Sequence, residues 1–251
     1  MRNTIERSGS LWVPSRREML GALGVGLLAP RIARAATFSL IAHAGGGLGA
    51  SPPQTLTLDT TGADLVVVGF VHDPGSGTVT VSDSKGNTWI PLTPRSNTVV
   101  TQLWYARPSN SSFVGASHAI TFGAAATFYA SGYVAAFSGA NASPFETETG
   151  LATGGSTLQP GNINPGHDNE LIVSAVSVFG TAPTVSGMAM LDASSFTGSQ
   201  FYGGGMAYVI QTTAAAINPT WAGGALLSPV MASFTVSTAA PKTRHRVTGG
   251  D

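Results

Sequence analysis

The sequence predicts an all-β protein, built as a single antiparallel β-sandwich of the jelly-roll or immunoglobulin-like kind. Three observations support this prediction. Apolar and polar residues alternate over several short stretches, as they do on strands with one buried face. The 32 glycines, with many serines and threonines, are typical of frequent turns. Only 10% of the residues are charged, so Thr, Ser and Asn must occupy most solvent-facing strand positions.

The first half of the body contains predicted strands in close succession. Residues 37–42 form the first and end at a glycine run, and residues 55–59 alternate well. Residues 64–71 are almost continuously apolar, which is expected of a central strand covered on both faces. The later strands of this half are predicted at 99–105, 117–122 and 127–137.

A hairpin is predicted between the third and fourth of these segments. Residues 79–82 alternate as a strand, and Asp83 to Gly86 fit a type I turn. Asp83 can accept hydrogen bonds from the backbone ahead of it, and Gly86 is free to adopt a positive φ. Trp89 follows on the returning strand, where its ring is expected to pack on the core.

The second half contains strand segments whose sequences are similar to those of the first half. After a connection at 141–166 rich in Gly, Pro, Ser and Thr, strands are predicted at 170–179, 206–211 and 230–236. Three segments have echoes about a hundred residues on: 63–67 in 169–173, 104–106 in 207–209, and 135–137 in 232–234. Degenerate internal duplication and chance similarity between strands both explain these echoes. We expect the two halves to interleave into one sandwich.

Two local motifs point to a known group of proteins. The Asp83-Ser-x-Gly-Asn-x-Trp89 signature and the strand ending Phe137-Ser-Gly-Ala140 resemble those of largely uncharacterised secreted bacterial β-sandwich proteins. Similar modules occur in extracellular and phage-tail-like proteins. The resemblance implies the fold and says little about function, because sandwiches carry many unrelated activities.

Residues 1–35 have the features of a cleavable export signal. Ser15, Arg16 and Arg17 precede an apolar run and resemble the twin-arginine signal of Tat export, with a Sec signal as the alternative. Ala33 and Ala35 form a small-x-small cleavage site. The apolar run is too short for a permanent membrane span. We therefore expect a periplasmic or extracellular protein, with the sandwich at 36–238 and a flexible tail at 239–251.

Charge and cysteine content exclude several classes of protein. Residues 36–251 contain six basic and ten acidic side chains, so the body has no basic surface of the kind that binds nucleic acid. The chain has no cysteine, which excludes disulfides, thiolate metal sites and thiol nucleophiles.

No catalytic residue is predicted. The Gly-x-Ser-x-Gly elbow of serine hydrolases is absent. Glu146 and Glu148 are two residues apart on an extended segment, so their side chains should point the same way and not across a substrate. His167, Asp168 and Glu170 form the most polar cluster, which we interpret as a turn before a buried strand. A glycan-active hydrolase is the least favoured class.

A calcium site is a further hypothesis. Asp73, with His72, could join Asp83 and Asn87 if their two loops meet at one end of the sandwich, because oxygen-rich loops suit calcium. The competing interpretation is that Asp83 only stabilises its turn. No His-x-His spacing indicates catalytic zinc.

Binding of a polysaccharide or another cell-surface component is the favoured function. Aromatic rings that stack on sugars are the expected means, and the candidates are Phe201, Tyr202, Trp104 and Trp221. Phe201 and Tyr202 stand out because they precede a glycine run. The alternative is a self-assembling structural protein, a homo-oligomer, because few charged residues protect its strand edges.

Overall fold

The computed structural model describes residues 37–49, 51–126, 129–198 and 201–237. The predicted signal, with Arg16, Arg17, Ala33 and Ala35, and the tail 239–251 lie outside the described residues. Within the described part the chain is all-β and antiparallel, as predicted, and it contains no helix long and apolar enough to cross a membrane. Its strands are β1 (Ser39–Gly49), β2 (Gln54–Leu58), β3 (Leu65–His72), β4 (Val79–Asp83), β5 (Trp89–Pro91), β6 (Arg95–Asn97), β7 (Val99–Ala106), β8 (His118–Ala124), β9 (Ala130–Ser138), β10 (Ala140–Gly150), β11 (Gly154–Leu158), β12 (Glu170–Phe179), β13 (Thr184–Ser186), β14 (Ala189–Ser194), β15 (Gly203–Gln211) and β16 (Thr220–Val236).

The first half builds two sheets. The first main sheet has the order β1-β9-β3-β7-β5, with β6 also paired to β7, and the first small sheet has the order β2-β8-β4. The chain crosses between these sheets at most connections, which is the path of a jelly roll. Strand β3 is buried over its whole length. It is covered on one face by the small sheet and on the other by the second half of the chain.

The second half repeats this arrangement. The second main sheet has the order β10-β16-β12-β15-β14. The first part of β16, up to Leu227, pairs with β11 and β13, and its last part, from Val230, lies between β10 and β12. Ser228, with a φ of 45°, lies between the two parts. One long strand therefore takes the places that β8 and β9 occupy in the first half.

The three sequence echoes coincide with structurally equivalent strands. β3 and β12, β7 and β15, and β9 and the end of β16 occupy the same places in the two main sheets. Even the register agrees. The Leu65–Phe137 pair of the first half corresponds to the Leu171–Phe234 pair of the second. In the same way, the Val67–Tyr105 pair corresponds to Val173–Tyr208. This agreement favours an internal duplication over chance similarity.

The two halves pack face to face and do not interleave, which corrects our expectation. Every strand of the first half pairs within that half, and every strand of the second half does likewise. Each half has enough strands because the connection at 141–166, predicted as a loop, supplies β10 and β11. The largest core lies between the main sheets and includes Leu65, Tyr133, Phe137, Leu171, Met206 and Phe234.

The predicted hairpin is a corner between two sheets. Asp83 accepts a hydrogen bond from the Lys85 amide at 2.7 Å, and Gly86 has a φ of 77°, so the turn chemistry is confirmed. The strands on either side do not pair with each other, however. β4 pairs with β8 in the small sheet, while β5 pairs with β7 in the main sheet. Trp89 packs against the core between those sheets, as expected.

The glycine run of β1 also differs from prediction. It does not end the strand, because β1 remains paired with β9 as far as Gly49. Two of these glycines permit close packing. A Cβ on Gly45 would lie 2.5 Å from the Tyr133 ring, and a Cβ on Gly47 would lie 2.4 Å from the Phe201 ring.

Candidate functional site

Two of the predicted sugar-binding aromatics are buried, which corrects that assignment. Trp221 is fully buried, and its indole Nε1 donates to Ser174 Oγ at 2.9 Å. Trp104 is only 9% exposed and packs in the core of the first half. Both rings fill space between sheets, so neither offers a free face to a ligand.

Phe201 and Tyr202 are both partly buried, and Tyr202 lies in an aromatic cluster. The Tyr202 ring stacks on Phe196, with centroids 5.8 Å apart, and meets the edge of Phe179 at 5.1 Å. Its hydroxyl donates to Asp73 Oδ2 at 3.2 Å. These contacts hold the ring within the protein and leave less of it for a ligand than the sequence suggests.

The predicted calcium ligands have separate partners in the structure. Asp73 accepts from the Gly75 amide and from Tyr202, whereas Asn87 Nδ2 donates to the Phe113 carbonyl. Asp83 accepts from Trp89 Nε1 at 2.7 Å. No hydrogen bond or ion pair joins Asp73 to Asp83 or Asn87 within the part of the chain that the structure describes. The geometry therefore favours the turn interpretation for Asp83.

Asp83 also belongs to a buried chain of polar groups. His118 places Nε2 3.3 Å from Asp83 Oδ1 and Nδ1 2.8 Å from Thr60 Oγ1. Burial raises the pKa of Asp83, but the nearby His118 imidazole and the hydrogen bonds from the Lys85 amide and Trp89 outweigh it and lower the pKa to about 2. The order of hydroxyl, imidazole and carboxylate resembles a hydrolase triad. Because all three side chains are inaccessible, these polar groups instead join β4, β8 and the loop between β2 and β3.

An open groove runs along the seam between the two halves. It consists of two adjoining pockets of about 500 and 250 Å³, which share Ile90, Tyr105 and Phe145. We call it the seam groove. Its lining residues come from the β5 region and β7 of the first half and from β10 of the second. Grooves at such junctions are common ligand sites, because two packed units leave a cleft where they meet.

Aromatic and aliphatic side chains form the apolar part of the seam groove. The rings of Tyr105 and Phe145 are stacked, with centroids 5.9 Å apart and planes 13° apart. Phe234 supports both rings edge-on from the core. Ile90 is 42% exposed, whereas Tyr105 is only 8% exposed. The apolar surface that the groove offers to a ligand therefore comes mainly from Ile90 and Phe145.

Polar groups line the same groove. The Tyr105 hydroxyl makes no hydrogen bond to any residue that the structure describes, and burial raises its pKa, so it remains a donor. Gln102 donates through Nε2 to the Leu92 carbonyl at 2.7 Å, which leaves its Oε1 as an acceptor. Glu148 accepts from the Thr93 amide at 3.0 Å and from the Thr93 hydroxyl at 2.6 Å. The groove therefore presents fixed hydrogen-bonding groups beside its apolar surface.

A β-bulge in β10 separates the two glutamates that were expected to point the same way. Phe145 pairs with Phe234 and Thr147 pairs with Ser233, so Glu146 is an extra residue in the strand. Glu148 consequently faces the seam groove, while Glu146 turns to the other face. There Glu146 accepts from Ser233 Oγ at 2.9 Å and from the Gly166 amide at 3.0 Å.

Glu146 meets His167 and Glu170 in a cluster that the sequence did not reveal. The three side chains place possible ligand atoms within 4.8 Å of one another. Burial, together with the hydrogen bond and negative charge of Glu146, raises the pKa of Glu170. The sequence predicts a turn at His167 and Glu170, and for Glu146 only a side chain that points the same way as Glu148. The available signal was an acidic residue at the start of an otherwise apolar strand.

No family model, curated protein or solved structure matches this chain. The geometry of its own sites is therefore the basis for a functional proposal.

Proposed function

We propose that this protein is an exported, non-catalytic module that binds a neutral polysaccharide in the seam groove. The observation that carries the proposal is the apolar surface of Ile90 and Phe145 beside the Tyr105 hydroxyl in an open groove. The Tyr105 ring is only 8% exposed and supports Phe145 by stacking on it. Sugar rings have apolar C–H faces and hydroxyl-bearing rims, so they match an aromatic surface bordered by hydrogen-bonding groups. An open groove, unlike a closed pocket, accommodates a chain longer than one sugar.

The charges around the groove favour an uncharged ligand. Arg107, at one end, donates to the carbonyls of Asn141 and Pro108 at 2.8 and 2.5 Å, so its guanidinium is already engaged. Glu148 is the only acidic residue among those that line the two pockets. Glycoside hydrolysis generally uses two carboxylates facing each other across the bond, and this lining supplies one. Binding without cleavage is the activity that these groups support.

A glycan array with the purified full-length chain tests the proposal, followed by affinity measurements on the best neutral ligand. We expect Ile90→Asp to weaken binding by about tenfold or more, because a charge would replace about 1–2 kcal/mol of apolar contact. Leu151→Asp is the matched control. Leu151 is 43% exposed, close to the 42% of Ile90, but does not line the groove.

Two results would overturn the proposal in different ways. If no neutral glycan is retained, or if Ile90→Asp binds like the wild type, the groove is not a glycan site. If alanine at both Phe201 and Tyr202 abolishes binding while Ile90→Asp does not, the aromatic cluster is the site instead. Large assemblies of the unliganded chain in size-exclusion chromatography would support the self-assembling alternative.

A further inference from the structure

The cluster of Glu146, His167 and Glu170 contains a buried carboxylate with an unpaired oxygen. Glu170 has no exposed surface. Its Oε1 accepts from the His167 amide at 2.8 Å and lies 3.1 Å from His167 Nδ1. Its Oε2 is buried and receives no hydrogen bond from an N–H or hydroxyl donor, although a proton shared with the Glu146 carboxyl can bridge the two acids. A carboxylate oxygen left in this state costs free energy unless a proton or a cation neutralises it.

The surroundings supply no lysine or arginine to neutralise the cluster. In the described residues, its ion pairs involve only His167, with Glu170 at 3.1 Å and Glu146 at 4.0 Å. On its other side, Glu170 is two residues from Ile172, which packs in an apolar cluster with Ile163 and Met231. Two carboxyl groups therefore meet at the edge of an apolar core with one imidazole between them.

The first half of the chain provides an internal comparison. Asp64 occupies the position equivalent to Glu170, at the start of the central strand. Both Asp64 oxygens are satisfied, because the amides of Gly139 and Ala140 donate to them at 3.1 and 2.9 Å. The partly buried acid at this position thus needs no extra partner in the first half, while the fully buried acid of the second half has an oxygen left over. The unpaired oxygen is a local feature of the second half.

The spacing of the three side chains suits a small cation. Ligands of tetrahedral zinc lie about 3.3 Å apart, given zinc–ligand bonds of about 2.0–2.1 Å. The His167 Nδ1–Glu170 Oε1 distance of 3.1 Å already matches, and the 4.0 Å to Glu146 needs a small movement of the imidazole. His167 is 71% exposed, so it has room to move and leaves a path from solvent. Ser233 and the Gly166 amide orient the Glu146 carboxylate.

We propose that Glu146, His167 and Glu170 bind one divalent transition-metal cation, best matched by zinc. Two carboxylates and one imidazole are common zinc ligands, whereas calcium takes six to eight oxygens. A fourth position faces solvent on the His167 side. The ion would join β10, the loop before β12 and β12 itself. This site is separate from the seam groove and does not depend on glycan binding.

Calorimetric titration of the chelator-treated full-length chain with zinc chloride tests the proposal. We expect one site per chain and a rise in melting temperature with zinc concentration, because the ion binds only the folded site. His167→Gln and Glu170→Gln should each weaken zinc binding by about 10- to 100-fold or more. His167→Gln keeps the test decisive if Glu170→Gln fails to fold, since His167 is exposed.

Matched controls separate this site from other histidines and acids. His43 lies 2.7 Å from Asp192 but offers only a two-residue site, so His43→Gln should leave the zinc response unchanged. His245→Gln and Asp64→Asn should do the same. A wild type without a zinc response, or one that His167→Gln preserves, would overturn the proposal. If Glu170→Gln stabilises the chelated protein while zinc has no effect on the wild type, the two glutamates share a proton and bind no metal.

Discussion

Glu146 and Glu148 lie two residues apart on β10, yet their carboxylates serve opposite faces of the strand. Glu148 accepts from Thr93 across the seam between the halves, and Glu146 accepts from Ser233 within the second half. The bulge at Glu146 is the cause, because the extra residue shifts the alternation of side chains by one position. A single strand thus contributes to both the seam groove and the proposed cation site.

Because the bulge turns the two carboxylates to opposite faces, we expect Glu148→Gln and Glu146→Gln to affect different sites. Glu148→Gln should weaken glycan binding by roughly tenfold, since it removes a charged acceptor from the groove, and should leave zinc binding unchanged. Glu146→Gln should have the opposite pattern. Affinities for the glycan and for zinc, measured on both variants, provide the check. If either variant loses both glycan binding and zinc binding, the two sites are not independent of each other.

Asp83 should make the fold sensitive to acid. Its pKa is lowered from 3.8 to about 2, so its contribution is complete above pH 3.8 and is lost as the pH falls through about 2. A shift of this size corresponds to about 2 kcal/mol. Asp83→Asn should lower the free energy of unfolding by about that amount at neutral pH and flatten its decline between pH 4 and 2. Urea unfolding at a series of pH values measures both effects.

Asp59→Asn is the control for this prediction. The Asp59 carboxylate accepts from the Thr61 amide at 2.9 Å in a similar local turn, but the side chain is exposed. Its loss should change acid stability much less, because solvent screens the charge. Equal effects of the two substitutions would show that burial beside His118 is not what stabilises Asp83.

The two buried tryptophans should differ in their response to phenylalanine. Trp221→Phe removes the hydrogen bond from Nε1 to Ser174 Oγ, whereas Trp104 Nε1 has no partner. Both variants lose packing, but Trp221→Phe should destabilise the protein by about 1–2 kcal/mol more than Trp104→Phe. Chemical denaturation gives the two values. Both variants should still bind the glycan if they fold. A variant that folds but does not bind the glycan would show that its tryptophan belongs to the ligand site.

Local patterns predicted the strands with a clear apolar run or alternation, including β2, β4 and β8 of the small sheet, but not β10 and β11. The apolar runs of β3 and β12 are unmistakable because both faces of each strand are buried. β10 and β11 were missed, since their glycines, serines and charged residues read as a loop. Backbone pairing with β16 is what makes them strands. Trp104 and Trp221 show the same limit, because a ring's exposure depends on which sheet covers it.

The sequence by itself determined the all-β class and the turn at Asp83 to Gly86, and it indicated a similarity between the two halves. These features depend on local periodicity, on turn chemistry and on short segments that recur about a hundred residues later. Only the tertiary structure decided that the halves pack face to face, that the seam groove lies between them, and that Glu146 meets His167 and Glu170. Each of these depends on contacts between residues 20 or more positions apart, where a bulge or a choice of pairing partner changes which side chains meet.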